Sequence, residues 1–222
     1  MTAAAQATAQ AADRIAGVDV PGGRLAREAT ELVRESASEL IYHHSRRVYL
    51  WGAMAGARRG LAYDAELLYV GAMFHDLGLT GKYRTDDQRF ELDGADEARR
   101  FLDAHGIPED AVRRVWTAIA LHTTPGIPER MEPEVALVTA GVELDVLGVG
   151  LDQVPEDRRA AVVAVHPRPD FKRRILEAFT DGIAHRPRTA FGNVKADVLA
   201  HFSPGFAATD FVEVVRNSPW GE

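Results

Sequence analysis

The chain has 222 residues, of which 46% are hydrophobic and 27% charged, a composition typical of one globular domain with a large core. It contains no cysteine, which excludes disulfides, zinc-thiolate clusters and cysteine nucleophiles, so any metal must be bound by His, Asp, Glu or water. The formal net charge of −7 argues against a broad nucleic-acid surface, because phosphate contacts need clustered Lys and Arg.

The N-terminal end differs in composition from the rest of the chain. Residues 1–14 begin with a stretch rich in Ala, Gln and Thr, which predicts a flexible arm before a single domain over 15–222. The start lacks the basic and apolar segments of a signal peptide, and no apolar run approaches the ~20 residues that span a bilayer. We therefore expect a cytoplasmic protein that acts on a small molecule, with no membrane or nucleic-acid partner. The sequence leaves a homo-oligomer open.

Apolar residues recur at helical spacing along the chain, and no strand-like alternation stands out. Ser36-Ala-Ser-Glu39 has the form of a capping box before a helix that reaches about Gly60, and Asp64 can cap a second helix ending at Gly78. Gly and Pro residues delimit further predicted helices over 94–104, 108–122, 133–147, 155–166, 170–183 and 194–202. We predict an all-α, single-domain bundle of about eight helices, packed against tail residues Phe206, Phe211, Val212 and Trp220.

The longest gap between predicted helices runs from Leu79 to Asp93 and is polar. Loops of that length are often lids or walls of binding sites. Lys82, Glu91 and Asp93 are therefore the candidate site residues of this segment.

Four polar residues stand where core residues of helices are expected. Alone, each has a structural explanation, such as a hydrogen-bonded core histidine or an aspartate paired with an arginine. Together they include two carboxylates that need a shared cation, because an unpaired buried charge is costly. The ordered set predicts one divalent metal bound by His44, His75, Asp76 and Asp145.

The same residues carry a resemblance to a known family. The segments His44-Ser-Arg-Arg-Val, Phe-His75-Asp76-Leu-Gly-Leu-Thr and Gly-Val-Glu-Leu-Asp145 resemble the HD superfamily of metal-dependent phosphohydrolases and their relatives. Residues 89–96 and 119–125 and the Phe191-Gly-Asn segment are similar to the branch that contains cyanamide hydratase. The resemblance implies a helical bundle that holds a metal ion, usually taken as zinc.

The chemistry of the predicted ligands agrees with that resemblance. Two imidazoles and two carboxylates suit Zn²⁺, Fe²⁺ or Mn²⁺, of which the resemblance favours Zn²⁺. Two ionised carboxylates also balance the charge of the dication. Water bound to such an ion becomes a nucleophile near neutral pH.

His122 ends the fourth predicted helix, where the helix dipole favours a protonated imidazole. It is either a helix cap or a proton shuttle beside the metal. We predict that His122 is catalytic rather than a metal ligand, and that Asp76, Arg47 and Thr123 act with it. Arg47 follows His44 by three residues and shares its helix face, where it can orient a metal carboxylate or the substrate.

Three enzymatic functions compete for this site. The first, which the resemblance favours, adds metal-activated water to a nitrile such as cyanamide, with His122 protonating the nitrogen. The second hydrolyses a nucleotide or another phosphate ester, and the lack of an acidic residue in 77–80 disfavours it. The third is a two-metal oxygenase, to which His105 and His122 could supply further ligands. A non-enzymatic interaction module is least favoured, because it has no need for all four ligands.

Overall fold

A computed structural model describes residues 13–217 of the protein. A short antiparallel hairpin, β1 (Arg14–Ile15) and β2 (Val18–Asp19), precedes ten α-helices within that range. These helices are α1 (Arg24–Ser36), α2 (Glu39–Arg59), α3 (Ala65–Phe74), α4 (Phe90–Ala104), α5 (Glu109–Leu121), α6 (Pro133–Leu147), α7 (Glu156–Val165), α8 (Phe171–Ile183), α9 (Lys195–Phe202) and α10 (Phe211–Arg216). The predicted all-α fold is confirmed.

Two of these helices, α1 and α10, are absent from the sequence-based prediction of about eight. The buried residues of α1 do recur at helical spacing, as Leu25, Ala29 and Val33 show. Its N-cap is Gly23, which has no side chain to bond the free amides of the first turn. The helix therefore lacks the start signal on which the prediction of the other helices depends.

Two predicted boundaries are wrong. The N-cap of α2 is Ser38, whose hydroxyl accepts a hydrogen bond from the backbone amide of Ile41, whereas Ser36 is the last residue of α1. The helix α4 begins at Phe90, so the polar loop is shorter than predicted. Glu91 and Asp93 consequently lie buried in the first turn of α4, where carboxylates are favoured by the helix dipole.

The helices α2 and α6 approach closely because each presents a glycine to the other. A Cβ added at Gly52 of α2 would lie 2.6 Å from the carbonyl oxygen of Leu137. One added at Gly141 of α6 would lie 2.2 Å from the carbonyl oxygen of Val48. Neither position has room for a side chain. This contact fixes the register in which His44 of α2 meets α6.

Buried apolar side chains form two clusters. The larger one lies chiefly among α1 to α6, and the smaller one joins α8 and α9 to the start of α2 and to Phe90 of α4. Phe206 of the tail packs against the smaller cluster. Phe211 and Val212 are 66% and 51% exposed, so the prediction that they pack against the bundle is wrong.

Parts of the predicted ends cannot be compared with the structure. Residues 1–12 of the predicted arm, and Trp220 of the tail, lie outside the described residues. Arg14, also assigned to the arm, belongs to the hairpin. The division into an arm and a domain stays a prediction. Among the described residues, no helix has both the length and the apolar content that crossing a membrane requires.

Candidate metal centre

Three helices bring polar side chains to one buried point. His44 projects from α2, His75 directly follows α3, and His122 directly follows α5. Asp76 comes next to His75, before a 3₁₀ turn over Leu77–Leu79. The four side chains are almost completely buried. We refer to His44, His75, Asp76 and His122 as the histidine–aspartate cluster.

Close backbone packing holds the turn that carries two of these residues. A Cβ at Gly78 would lie 2.0 Å from the carbonyl oxygen of Phe90, and a Cβ at Gly94 would lie 2.8 Å from that of Phe74. Side chains at these positions would push α4 away from the end of α3. The two glycines therefore place the first turn of α4 directly behind the His-Asp turn.

The side-chain atoms of the histidine–aspartate cluster face one another. The Nε2 atoms of His44 and His75 are 3.2 Å apart, and Oδ2 of Asp76 lies 3.6 Å from the first and 3.2 Å from the second. Nε2 of His122 lies 3.6 Å from Oδ1 of Asp76. Ligands around a tetrahedral ion with bonds of about 2.0–2.1 Å are separated by roughly 3.3–3.4 Å. The atoms of His44, His75 and Asp76 have the spacing that one metal ion requires, and Nε2 of His122 lies beside the second oxygen of Asp76.

The hydrogen bonds of the three histidines determine which ring nitrogen faces the cluster. Nδ1 of His75 and of His122 each donate to a backbone carbonyl one turn earlier, at 2.7 Å. Nδ1 of His44 donates to the carboxylate of Asp145 at 2.7 Å. These oxygens can only accept, so each Nδ1 carries a proton and a neutral ring presents a lone pair at Nε2. Lone pairs only 3.2 Å apart repel unless a cation lies between them.

Charge and burial in the cluster also favour a cation. Burial lowers the pKa of the His44 imidazole. Burial opposes ionisation of Asp76, and positive charge on the side of the facing histidines lowers the pKa of its carboxyl well below the usual range; with neutral rings, a bound cation supplies that charge. Within the described residues, both carboxylate oxygens of Asp76 and Nε2 of His122 are buried without a hydrogen-bond partner. Such atoms are costly to bury unless something binds them, so these residues fit a divalent metal.

Asp145 lies on the opposite side of the His44 ring. Its carboxylate accepts two hydrogen bonds from Arg47, from Nε at 2.9 Å and from Nη2 at 2.8 Å, and one from Nε1 of Trp51 at 2.9 Å. With the bond from His44, both oxygens are satisfied. Burial opposes its ionisation, but these bonds hold the pKa of Asp145 well below its usual range. We refer to Asp145, Arg47 and Trp51 as the Asp145 cluster.

The structure places three predicted site residues where the sequence analysis did not expect them. Asp145 is not brought into the group of metal-binding atoms, because α6 presents Val142 and Val146 to that side and turns Asp145 toward α2. His122, predicted to lie outside the ligand set, shares the cluster. Arg47 is fully buried, bonds Asp145 and two backbone carbonyls, and does not line the cavity described below.

A cavity of about 240 Å³ opens onto the histidine–aspartate cluster. Its walls are mostly apolar and come from α6, α8 and α9, namely Val142, Val146, Leu147, Ile175, Leu176, Phe179, Val194 and Val198. The polar side chains beside the cluster are Thr123, Thr124 and Glu143. Of the described residues that line the cavity, none is a lysine or an arginine.

Glu143 is a cavity residue that the sequence analysis missed. Burial raises the pKa of its carboxyl above the ordinary value. Glu143 stands two residues before Asp145, in the very segment that carries the family resemblance. The sequence shows that the segment matters but not which carboxylate faces the cavity, because that depends on the rotation of α6 against α2.

Thr123, a predicted catalytic residue, does line the cavity. Its hydroxyl donates a hydrogen bond to Glu91, which is fully buried and also accepts from Lys195 of α9. Lys195 is another residue near the cavity wall that the sequence analysis missed. It is 104 residues away from Glu91, and nothing in the local pattern of α9 indicates the pairing.

The remaining candidates lie away from the cavity. Asp93 forms a buried ion pair with Arg186, and the Lys82 ammonium lies over the ring of Tyr83. His105 uses both ring nitrogens in hydrogen bonds, one to a glutamate of α1 and one to a backbone carbonyl. None of these three candidate side chains lines the cavity.

Comparison with known proteins agrees with this arrangement. The family model of the HD domain matches residues 41–165, more than half of the chain. The matched region contains both the histidine–aspartate cluster and the Asp145 cluster. A search of the curated proteins found no match.

Proposed function

The chain belongs to the HD-domain family, and from that premise we propose that it is a metal-dependent enzyme that adds water to a small neutral molecule. The observation that carries the proposal is that potential metal ligands lie beside an apolar cavity. Two histidine Nε2 atoms and a carboxylate converge at metal-binding distance, with Nε2 of His122 beside the same carboxylate, at the end of a mostly apolar cavity that lacks a described lysine or arginine. A nitrile such as cyanamide is the reactant class that best agrees with the sequence resemblance.

We assign the metal to His44, His75, Asp76 and His122. One carboxylate and three neutral imidazoles suit Zn²⁺, with Fe²⁺ and Mn²⁺ as alternatives. A bound ion of this kind supplies a Lewis acid and a water nucleophile at neutral pH. Asp145 supports the metal site indirectly. Its carboxylate accepts a hydrogen bond from Nδ1 of His44, which fixes the direction of Nε2.

Proton transfer is assigned to Glu143 rather than to His122. If Nε2 of His122 binds the metal and its Nδ1 donates to a backbone carbonyl, the ring has no nitrogen left for a proton relay. Glu143 lines the same cavity, and its raised pKa increases the fraction that carries a proton. A protonated Glu143 can donate to the nitrogen on which negative charge develops when a nitrile is attacked.

The apolar walls of the cavity favour this function over phosphate ester hydrolysis. A phosphate needs cationic side chains, and in this part of the chain Arg47 is occupied by Asp145 while Lys82 lies outside the cavity. Glu143 repels an anion when it is ionised and offers no positive charge to one when it is protonated. The cavity therefore favours a neutral reactant with a small apolar portion.

A two-metal oxygenase is the less favoured alternative. Among the described residues, one group of three or more potential ligands meets at metal-binding distance, namely His44, His75 and Asp76. His105, which would be needed for a second ion, has both nitrogens occupied by hydrogen bonds.

The test combines metal analysis with a substrate screen on the protein as purified. We expect about one equivalent of a transition metal per chain, and turnover of cyanamide or another small nitrile. The same preparation should leave nucleoside monophosphates and p-nitrophenyl phosphate unchanged. Phosphate release without nitrile turnover would transfer the assignment to the phosphohydrolase alternative, and well under one equivalent of metal would remove the premise itself.

A further inference from the structure

Thr123 occupies a defined place in the cavity wall, directly after the cluster residue His122. Its Oγ1 donates a hydrogen bond to Oε1 of Glu91. The same carboxylate oxygen accepts from Nζ of Lys195 at 2.6 Å and from Nη2 of Arg89 at 2.9 Å. Glu91 and Lys195 are both fully buried, so this arrangement lies behind the wall rather than on a solvated surface.

The two cations keep Glu91 ionised. Burial acts against ionisation, but Lys195 and Arg89 outweigh it and lower the pKa of Glu91 to about 2. The position of Glu91 in the first turn of α4 adds the favourable end of a helix dipole. An ionised carboxylate has no hydrogen to give and can only accept.

The ionised carboxylate of Glu91 fixes the hydrogen-bond direction of the Thr123 hydroxyl. A threonine hydroxyl has one hydrogen and two acceptor lone pairs, and here the hydrogen is directed to Glu91. Toward anything else it contacts, Thr123 can therefore act only as an acceptor. The obligate direction comes from a residue that does not itself line the cavity.

We infer that the Lys195–Glu91 pair sets Thr123 as a fixed hydrogen-bond acceptor, which selects substrates that carry an N–H or O–H donor beside the reacting carbon. This inference rests on the proposed function and specifies its substrate class. The predicted reactant is neutral and small, and it bears an amino, amide or hydroxyl hydrogen next to the nitrile or carbonyl carbon. Glu91 and Lys195 are positioning residues, since they act through Thr123.

A matched pair of nitriles tests the selection. Cyanamide carries an NH₂ group, whereas dimethylcyanamide has the same reacting carbon and no N–H hydrogen. We expect the wild type to prefer cyanamide in kcat/KM by roughly ten- to a hundredfold. Thr123→Val keeps the side-chain shape but removes the acceptor, and it should reduce that preference to within about threefold. Thr123→Ser restores the acceptor and should restore the preference.

Glu91→Gln tests the positioning role. Its amide can donate to Thr123, which frees the hydroxyl hydrogen to point into the cavity. The preference for cyanamide should then fall, while Thr123 itself is unchanged. If Glu91→Gln does not fold, as judged by its circular dichroism, the Thr123 variants decide alone. A Thr123→Val variant that slows both nitriles equally, and so keeps the wild-type preference, would overturn the inference.

Direct binding separates failure of this inference from failure of the proposed function. Urea and tetramethylurea, titrated calorimetrically into wild type and Thr123→Val, form a second pair with and without N–H hydrogens. If no nitrile is turned over but the wild type alone prefers urea, the proposed reaction fails and the acceptor role stands. If nitriles are turned over but the variant keeps the wild-type preference in both pairs, the reaction stands and the acceptor role fails.

Discussion

The two sides of the His44 ring differ in how completely their polar atoms are satisfied. Behind the ring, the Asp145 cluster accounts for both carboxylate oxygens of Asp145 with hydrogen bonds from three side chains. In front of it, Asp76 and His122 present buried atoms without a partner among the described residues. Both sides are equally buried. Burial alone therefore does not distinguish a metal site from a structural ion pair, but several polar atoms without partners that face one another at one point do.

This difference also explains why one side of the ring is structural and the other binds a cation. A satisfied cluster is rigid, because any displacement breaks several charge-assisted hydrogen bonds. An unsatisfied cluster is reactive toward a cation and, through it, toward a substrate. The ring of His44 connects them, since Nδ1 belongs to the satisfied side and Nε2 to the unsatisfied one.

Removing a histidine of the histidine–aspartate cluster should have the largest effect on metal binding and turnover. We expect His75→Ala to lose nearly all bound metal and to show only background turnover, with a helical circular dichroism close to wild type. Inductively coupled plasma analysis measures the metal. The matched control is His43→Ala, because His43 is adjacent to His44 but contacts His166 instead of the cluster. Full metal content in His75→Ala would contradict the assignment.

Substitution of Glu143, the carboxylate in the cavity wall, should have the second largest effect on turnover. Glu143→Gln removes the proposed proton donor without altering the metal-binding atoms, so kcat should fall by roughly 10²–10⁴ while the metal content stays at wild-type level. The control is Glu129→Gln, since Glu129 is a neighbouring acidic residue that does not line the cavity. Equal turnover in Glu143→Gln and wild type would assign proton transfer to another group.

Substitution of Asp145 should affect metal binding indirectly, and less than the loss of His75 does. Asp145→Asn should weaken metal affinity by about 10–100-fold, because His44 loses the partner that orients it. Asp145→Ala also leaves the Arg47 guanidinium buried and unpaired, which costs about 3–5 kcal/mol of unfolding free energy. Competition with a chromogenic chelator and urea denaturation measure the two effects. Complete loss of metal at saturating concentration would instead place Asp145 among the ligands.

The smallest effect concerns Glu91, a buried carboxylate paired with Lys195 and Arg89. Its folded-state pKa of about 2 lies below the ordinary 4.5, so the unfolded chain takes up this proton first as the pH falls. Glu91 thus contributes stability that is present above pH 4.5 and is lost as the pH falls toward 2. The loss should be at most about 1.4 kcal/mol per pH unit, and Glu91→Gln should lack it. Urea denaturation at a series of pH values gives both slopes.

The sequence predicts the fold better than the orientation of the site. Helical spacing, Asp64 as a cap and the glycine stops identify most helices, and the motif residues His44, His75 and Asp76 do meet. The placement of Asp145 has a geometric origin. Neighbouring positions on a helix differ by about 100° in direction, so Glu143 and Asp145, two residues apart on α6, point to nearly opposite sides. Only the packing against α2 decides which of them faces the cavity.

Long-range pairing accounts for the rest of what the sequence did not reveal. Lys195 and Glu91 lie in different helices, and each resembles an ordinary surface charge in its local context. The helix α1 has an apolar stripe but begins at Gly23 without a side-chain cap. In both cases the deciding interaction is tertiary, so local propensity and spacing contain no record of it.

The paired glycines of α2 and α6 have a consequence for how this protein can change over time. Gly52 and Gly141 allow α2 and α6 to approach closely because neither has a side chain. The orientation of the His44 ring depends on that distance. Variation at the apolar wall, for example at Leu176 or Val198, can reshape the cavity while the helix contact stays intact. Substitutions in α8 and α9 can therefore change the substrate that fits, whereas the α2–α6 contact has no room for a side chain at either glycine.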